Sequence, residues 1–190
     1  MSKIVFIGGV SGSGKGVIID EILKQEDISL VQSYVTRPMR PGEVNGERYN
    51  FISQELFKEM IENGDFLEYE QVHKGGFYGT KLKELLDLLD QGKSPIKEID
   101  IKGLEKIKTE HKIDGKFTSI FLDIPEDVMI KRITNRAPIS EKELQNRLES
   151  AKIERELARV LCDHIIITDA PTLEENVQRV KSVLDKEINS

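Results

Sequence analysis

A strand, a glycine turn and a helix follow one another in residues 3–23, KIVFIGGVSGSGKGVIIDEIL. The apolar run KIVFIGG ends in glycine, and beyond the turn Val17, Ile18, Ile22 and Leu23 recur at helical spacing. Between them Gly9, Gly14 and Lys15 stand in the spacing G-x-x-x-x-G-K. Glycines let successive backbone N–H groups turn inward around a phosphate, the helix start adds partial positive charge, and a lysine at this place reaches the outer phosphates. Residues Gly9, Val10, Ser11, Gly12, Ser13, Gly14, Lys15, Gly16 and Val17 are therefore expected to form a nucleotide-phosphate loop. The usual loop places Ser or Thr after the lysine, with its hydroxyl on a magnesium ion. Here Gly16 and Val17 follow, and neither carries a hydroxyl.

The rest of the chain extends this α/β start. Strands are expected at PIKEID (95–100), FTSIFLDI (117–124) and HIIIT (164–168), each followed by a helical pattern, which implies a parallel sheet wrapped by helices. Pro95 and Lys97 make the first of these less apolar than a central parallel strand normally is, and a strand starting only at Ile96 is the simplest reading. Ser140 with Glu143 and Thr172 with Glu175 form capping boxes that open two late helices. In the first of them Leu144, Leu148 and Ala151 make a core-facing stripe. The segment NRAPIS (135–140) reads as a hinge-like gap before it. Residues 30–80 differ from all of this: TRPMRPGEVNGERYNF and FLEYEQVHKGGFYGT, punctuated by Gly, Pro and Tyr, flank the helical SQELFKEMIENG and suggest a small inserted β-rich lobe.

Composition bounds the partners. With 190 residues, 38% hydrophobic and 33% charged, the chain reads as one globular domain. Lys and Arg number 28 against 34 Asp and Glu, so the overall field, at net −6, suggests neither a nucleic acid nor an anionic membrane as partner. No membrane-spanning apolar stretch is evident, and MSKIVFIGG leads into a strand without a signal-peptide pattern, so a cytoplasmic location is expected. Cys162 is the single cysteine and reads as a small buried hydrophobe. His73, His111 and His164 show no metal-ligand spacing, which leaves zinc and thiol chemistry unsupported.

Over essentially its whole length the sequence resembles the guanylate kinase family, enzymes that move a phosphoryl group from ATP to GMP. The resemblance rests on SGSGKG (11–16), TRPMRPGEVNGERYNF (36–51), FLEYEQVHKGGFYGT (66–80), EIDIKG (98–103), KRITNR and NRLESA. It implies an α/β, P-loop three-layer fold with a parallel central sheet, an inserted β-rich nucleotide-acceptor lobe and a helical lid. One domain, 1–190, would then have its core at about 1–32, 81–134 and 160–190, its acceptor lobe at about 33–80 and its lid at about 135–159.

The resemblance also implies roles. Residues 9–17 would hold ATP with Mg2+, and the substrates would be ATP and GMP or dGMP. Arg37, Arg40, Tyr49 and Tyr78 would surround the GMP phosphate, since guanidinium forks and phenol hydroxyls suit its oxygens. Ser33, Glu68 and Thr80 would meet the base, where a carboxylate can accept from both the ring N–H and the amino group of guanine. Asp100 would contribute to acceptor binding or metal organisation. Arg132, Arg136 and Arg147 match arginines that embrace the ATP phosphates, and with Lys15 and Arg37 they form the expected catalytic set. Phosphoryl transfer needs positioning and cationic stabilisation, not a general base. Arg132 and Arg136 lie four apart and share a helical face, whereas Arg147 comes from the next helix, which implies closure of a segment.

Two positions depart from the family pattern. Gly16 replaces Ser or Thr, and Glu98 stands where DID would have Asp; Glu98 is the expected metal ligand, directly or through water. Two other readings stay open: a non-catalytic interaction module like the scaffold domains similar to this family, and a kinase acting on another small phosphorylated acceptor. Lys15 and the late arginines favour the kinase.

Overall fold

The computed structural model describes residues 2–71 and 76–188; His73 and the rest of 72–75, within FLEYEQVHKGGFYGT, lie outside the described residues. The first strand, β1 (Ile4–Gly9), has five buried residues in succession, as a strand covered on both faces requires. It leads through the glycine turn into α1 (Lys15–Ile22), followed by β2 (Ile28–Leu30). Then come β3 (Ser33–Val35), β4 (Tyr49–Phe51), α2 (Gln54–Glu62), β5 (Phe66–Gln71) and β6 (Phe77–Lys81). The remainder alternates: α3 (Leu82–Asp90), β7 (Ser94–Glu98), α4 (Ile101–Glu110), β8 (Phe117–Asp123), α5 (Glu126–Arg136), α6 (Glu141–Leu161), β9 (His164–Ile167) and α7 (Leu173–Ile188).

The main sheet has five parallel strands in the order β2-β7-β1-β8-β9. One face packs Phe6 and Phe121 against Leu104 and Ile107 of α4, Met129 and Ile133 of α5, and Ala151 and Ala158 of α6. Leu144 and Leu148 join that core, as their stripe predicts. The other face packs Val5, Ile7 and Ile120 against Ile18, Ile19 and Ile22 of α1 and Val177, Val180 and Leu184 of α7. Sheet and two helical layers make the expected three-layer α/β arrangement.

Two local expectations need correction. Val17 is 52% exposed and Ile19 fully buried, because α1 starts at Lys15 and the face that meets the sheet runs through Ile18, Ile19 and Ile22. The strand β7 begins at Ser94 rather than Ile96: Ser29 of β2 pairs with Pro95, while the ladder to β1 starts only at Ile96. The missing N–H of Pro95 therefore falls outside the β1 ladder, which makes the proline tolerable.

A second sheet of four strands, β4-β3-β6-β5, stands beside the first. Its core is small and aromatic: Phe57 of α2 stacks on Phe66 and Phe77 at ring separations of 4.4 and 5.2 Å. At the late helices Ser140 Oγ accepts from the Glu143 amide and Thr172 Oγ1 from the Glu175 amide, both at 3.2 Å, so both capping residues act as read. Residues 137–140 separate α5 from α6. Cys162, at the end of α6, packs against the core, and burial pushes its thiol up to about 11. Among the described residues no helix is long and apolar enough to cross a membrane.

Candidate active site

The turn between β1 and α1 is held from behind. Val10 donates its amide to Leu122 O at 3.1 Å, and Thr168 Oγ1 donates to Ser13 O at 2.8 Å. Gly12 and Gly14 adopt φ of 80° and 83°, the left-handed region that glycine enters without strain. Gly14 is the N-cap of α1, with no side-chain cap and no acidic residue in the first turn. The first-turn amides thus have neither helical acceptors nor a competing carboxylate, the situation that favours a bound anion. Lys15 folds back over the loop, its Nζ 3.3 Å from Gly9 O and 3.4 Å from Glu98 Oε1. A side-chain carbon at Gly16 would meet nothing within 4 Å, so the missing hydroxyl is not excluded by crowding.

Across the cavity the second sheet gathers another donor set. Arg37 follows β3, and its guanidinium makes a fork with Glu43, Nη1 to Oε2 and Nη2 to Oε1, each at 2.6 Å. Its Nε donates to the Tyr78 hydroxyl at 2.8 Å, and its Cζ lies 5.0 Å from the centre of the Tyr49 ring and 5.1 Å from that of Phe51. The Glu43 hydrogen bonds raise the Arg37 pKa further, and the same fork lowers Glu43 to about 2. Arg40 donates its backbone amide to Glu43 at 2.7 Å, while its side chain is exposed. Burial raises the Tyr49 hydroxyl. Thr80 Oγ1 donates to Glu68 Oε1 at 2.5 Å; Glu68 is nevertheless shifted up, because its burial outweighs that bond.

The late arginines are not gathered in the same way. Arg132 of α5 donates to Gly12 O at 3.1 Å and to Thr168 O at 3.0 Å, which puts it against the phosphate turn. Arg136, at the end of the same helix, is exposed. Arg147 is exposed too and pairs with Glu143 on its own helix at 2.6 Å. Asp100 caps α4 by accepting from the Gly103 amide at 2.7 Å.

Phosphate turn and second sheet open into one cavity of about 1130 Å³. Gly9, Lys15 and Gly16 line one part of it, and Ser33, Glu68 and Tyr78 another. A family model described as guanylate kinase matches residues 1–187.

The chain belongs to the guanylate kinase family.

Relatives agree. It is 33% identical over 184 residues to the guanylate kinase of Clostridium tetani, covering 97% of this chain and 86% of that protein. It is 36% identical over 180 residues to the guanylate kinase of Clostridioides difficile, covering 94% and 86%. A crystal structure of guanylate kinase from Anaplasma phagocytophilum superposes with a TM-score of 0.75 at 26% identity, covering all of this chain and 87% of that one.

Four further residues of this guanylate kinase family member stand at the cavity or hold its walls without having been singled out from the sequence as site residues. Glu43 is the anion that fixes Arg37. Glu154 of α6 lines the cavity near Lys15 and Asp100, and burial raises its pKa. Arg155 anchors α6 through Asp123 Oδ1 at 2.8 Å and Ile124 O at 2.6 Å. Lys97, noticed only as an oddity of its strand, is 2% exposed and also lines the cavity. For Glu43 the clue is the E of RPGEVNG, three residues past Arg40; the other three are joined to the site only by tertiary contacts.

Proposed function

We propose that the chain transfers the γ-phosphoryl group of ATP to GMP or dGMP, giving ADP and GDP or dGDP. What carries the reading is the single cavity that joins an anion-ready helix start to the phenols of Tyr49 and Tyr78, the second of which accepts from the Arg37 guanidinium. An oxygen of the GMP phosphate forms the new bond to the γ-phosphorus as the bond from that phosphorus to the β–γ bridging oxygen breaks, and ADP leaves with that oxygen. The amides of residues 9–17 hold the ATP phosphates, and Lys15 follows the charge as it moves to the leaving group. Arg37, Arg40, Tyr49 and Tyr78 hold the acceptor phosphate in line. Ser33, Glu68 and Thr80 meet the guanine, with Glu68 accepting from its ring N–H and amino group.

Arg132, already against the turn, needs little movement to reach a phosphate. Arg136 and Arg147 complete the cationic set when the segment of about 135–159 closes, for which Arg147 exchanges Glu143 for phosphate. The core, the acceptor lobe of about 33–80 and this lid then act as one guanylate-kinase-like domain. Glu98 and Asp100 offer the cavity carboxylate oxygens, the hard ligands that magnesium takes. Among the described residues no three or more such ligands cluster, which suits an ion shared with phosphates and water. When bound, Mg2+ neutralises charge on the ATP phosphates; Glu98 and Asp100 are the residues to hold it, directly or through water.

A coupled assay with ATP and magnesium, offering GMP, dGMP, AMP, CMP and UMP in turn, tests the reading. ADP release with GMP or dGMP, lost in Lys15→Ala, is the expected result. Binding of GMP without turnover would overturn it in favour of a non-catalytic module, and turnover confined to another acceptor would overturn the guanine assignment.

A further inference from the structure

Lys97 sits in β7, an interior strand of the main sheet between β2 and β1, where burial on both sides calls for an apolar side chain. Its ammonium donates to Ser33 Oγ at 2.5 Å and to Val31 O at 3.2 Å. An ammonium has three donors and no lone pair, so one N–H is left over, and Lys97 lines the cavity together with Ser33 and Glu68. Ser33 has one hydroxyl hydrogen. With Lys97 donating to its oxygen, that hydrogen points away from Lys97 and is available to an incoming acceptor. Lys97 thus converts the Ser33 hydroxyl from an ambivalent group into a committed donor, with a positive charge behind it.

We propose that Lys97 is a specificity-determining residue that acts chiefly through Ser33, making this corner of the cavity select a purine with an oxo group at position 6 and reject one with an amino group there. The inference rests on the GMP reading above. An oxo group accepts from Ser33 and from the spare ammonium hydrogen; an amino group presents hydrogens to donors and leaves both sides unpaired, the arrangement by which polar sites discriminate most strongly. Glu68 reads the ring N–H and amino group next to that oxo group on the same edge of the base, so a test of Lys97 has to leave those two groups unchanged. The charged groups around Lys97 are Glu68 on β5, Glu84 on α3 and its strand neighbour Glu98, with Glu84 engaged by the Tyr34 hydroxyl at 2.5 Å. Desolvation outweighs their attraction and pushes the Lys97 ammonium down to about 8.

The test compares the unaltered chain with Lys97→Met, similar in length and apolar, using GMP and 6-thio-GMP as acceptors. The thio analogue keeps the ring N–H and the amino group that Glu68 reads, and replaces only the oxygen by a poor acceptor. In Lys97→Met the KM for GMP is expected to rise about tenfold with a smaller fall in kcat, and the preference for GMP over 6-thio-GMP to shrink about tenfold. Ser33→Ala is expected to lose the same preference, and the double variant to lose little more than either single one. A lysine that merely filled space would alter melting temperature and leave the analogue ratio and the KM-against-kcat split untouched; that result overturns the proposal. Absence of GMP turnover in the unaltered chain would overturn the functional reading and this inference together, whereas GMP turnover with an unchanged analogue ratio in Lys97→Met overturns the inference alone.

Discussion

Arg37 and Glu43 face each other as a two-point fork, both N–H···O contacts at 2.6 Å, with the Arg37 side chain 14% exposed. Tyr78 and Pro38 O take two more of the guanidinium hydrogens, at 2.8 and 3.0 Å. The Arg37 guanidinium is therefore held in one orientation by its protein partners, which take most of its donors. Glu43 stays ionised down to about pH 2, so the fork persists wherever the protein is assayed and opens only as pH falls through that value.

Arg37→Lys keeps the charge but cannot make the fork, the Tyr78 bond and the ring contact at once. GMP KM is expected to rise by about tenfold or more with kcat less affected, and calorimetric titration should show the same loss of GMP affinity without ATP. Unchanged affinity would remove Arg37 from the acceptor site.

Gly16→Ser introduces the absent hydroxyl into open space, so the variant should fold with an unaltered melting temperature. Its half-saturating magnesium concentration in the turnover assay should fall severalfold, because one more oxygen is offered beside Lys15. Equal magnesium dependence of the two proteins would show that water already does that task here.

Asp100 separates into two roles by substitution. Asp100→Ala removes the α4 cap and should cost about 1 kcal/mol in urea unfolding. Asp100→Asn keeps a good capping group and should stay within about 0.5 kcal/mol of the unaltered chain, while losing the negative charge at the cavity. A kinetic defect common to both variants would assign the carboxylate to ligand or metal; a defect confined to Asp100→Ala would assign it to the helix start.

The folded-state shift of Lys97 gives a stability signature. Its pKa falls from 10.5 to about 8, so between those values the unfolded chain binds more protons and stability rises with pH. Below pH 8 the penalty is fully present, on the order of 3 kcal/mol. The unfolding free energy of Lys97→Met minus that of the unaltered chain should therefore be larger at pH 7 than at pH 9.5, as measured by urea titration. A difference independent of pH would mean that Lys97 is no less basic folded than unfolded.

What could be read from the sequence was local. The turn at 9–17 and the caps Ser140 and Thr172 are written in neighbouring residues, and both caps form the expected bonds. The face of α1 was misjudged at Val17 because the helix is short and its true start, Lys15, fixes which side meets β1. Pro95 misled for a different reason: whether a strand proline costs a bond depends on which neighbour its nitrogen faces, and the β1 partners of its strand lie 91 residues away in the chain. Lys97 could be seen as odd but not explained, since its partner Ser33 is 64 positions distant. The same distance effect hid Glu154 and Arg155, whereas Arg147 shows the reverse: the family resemblance expects it at phosphate, and in the fold it pairs with Glu143 on its own helix.

The length of α6 turns a small adjustment into a large one. Arg155 pins this helix of 21 residues to Asp123 and Ile124, and Arg147 lies eight residues nearer its N-terminal end. At about 1.5 Å per residue that is a lever arm of about 12 Å, so each ten degrees of tilt about the pin carries Arg147 by about 2 Å. The Arg155 clamp, at the fulcrum, hardly moves in such a tilt, and the packing of Leu144 and Leu148 into the core is what the tilt works against.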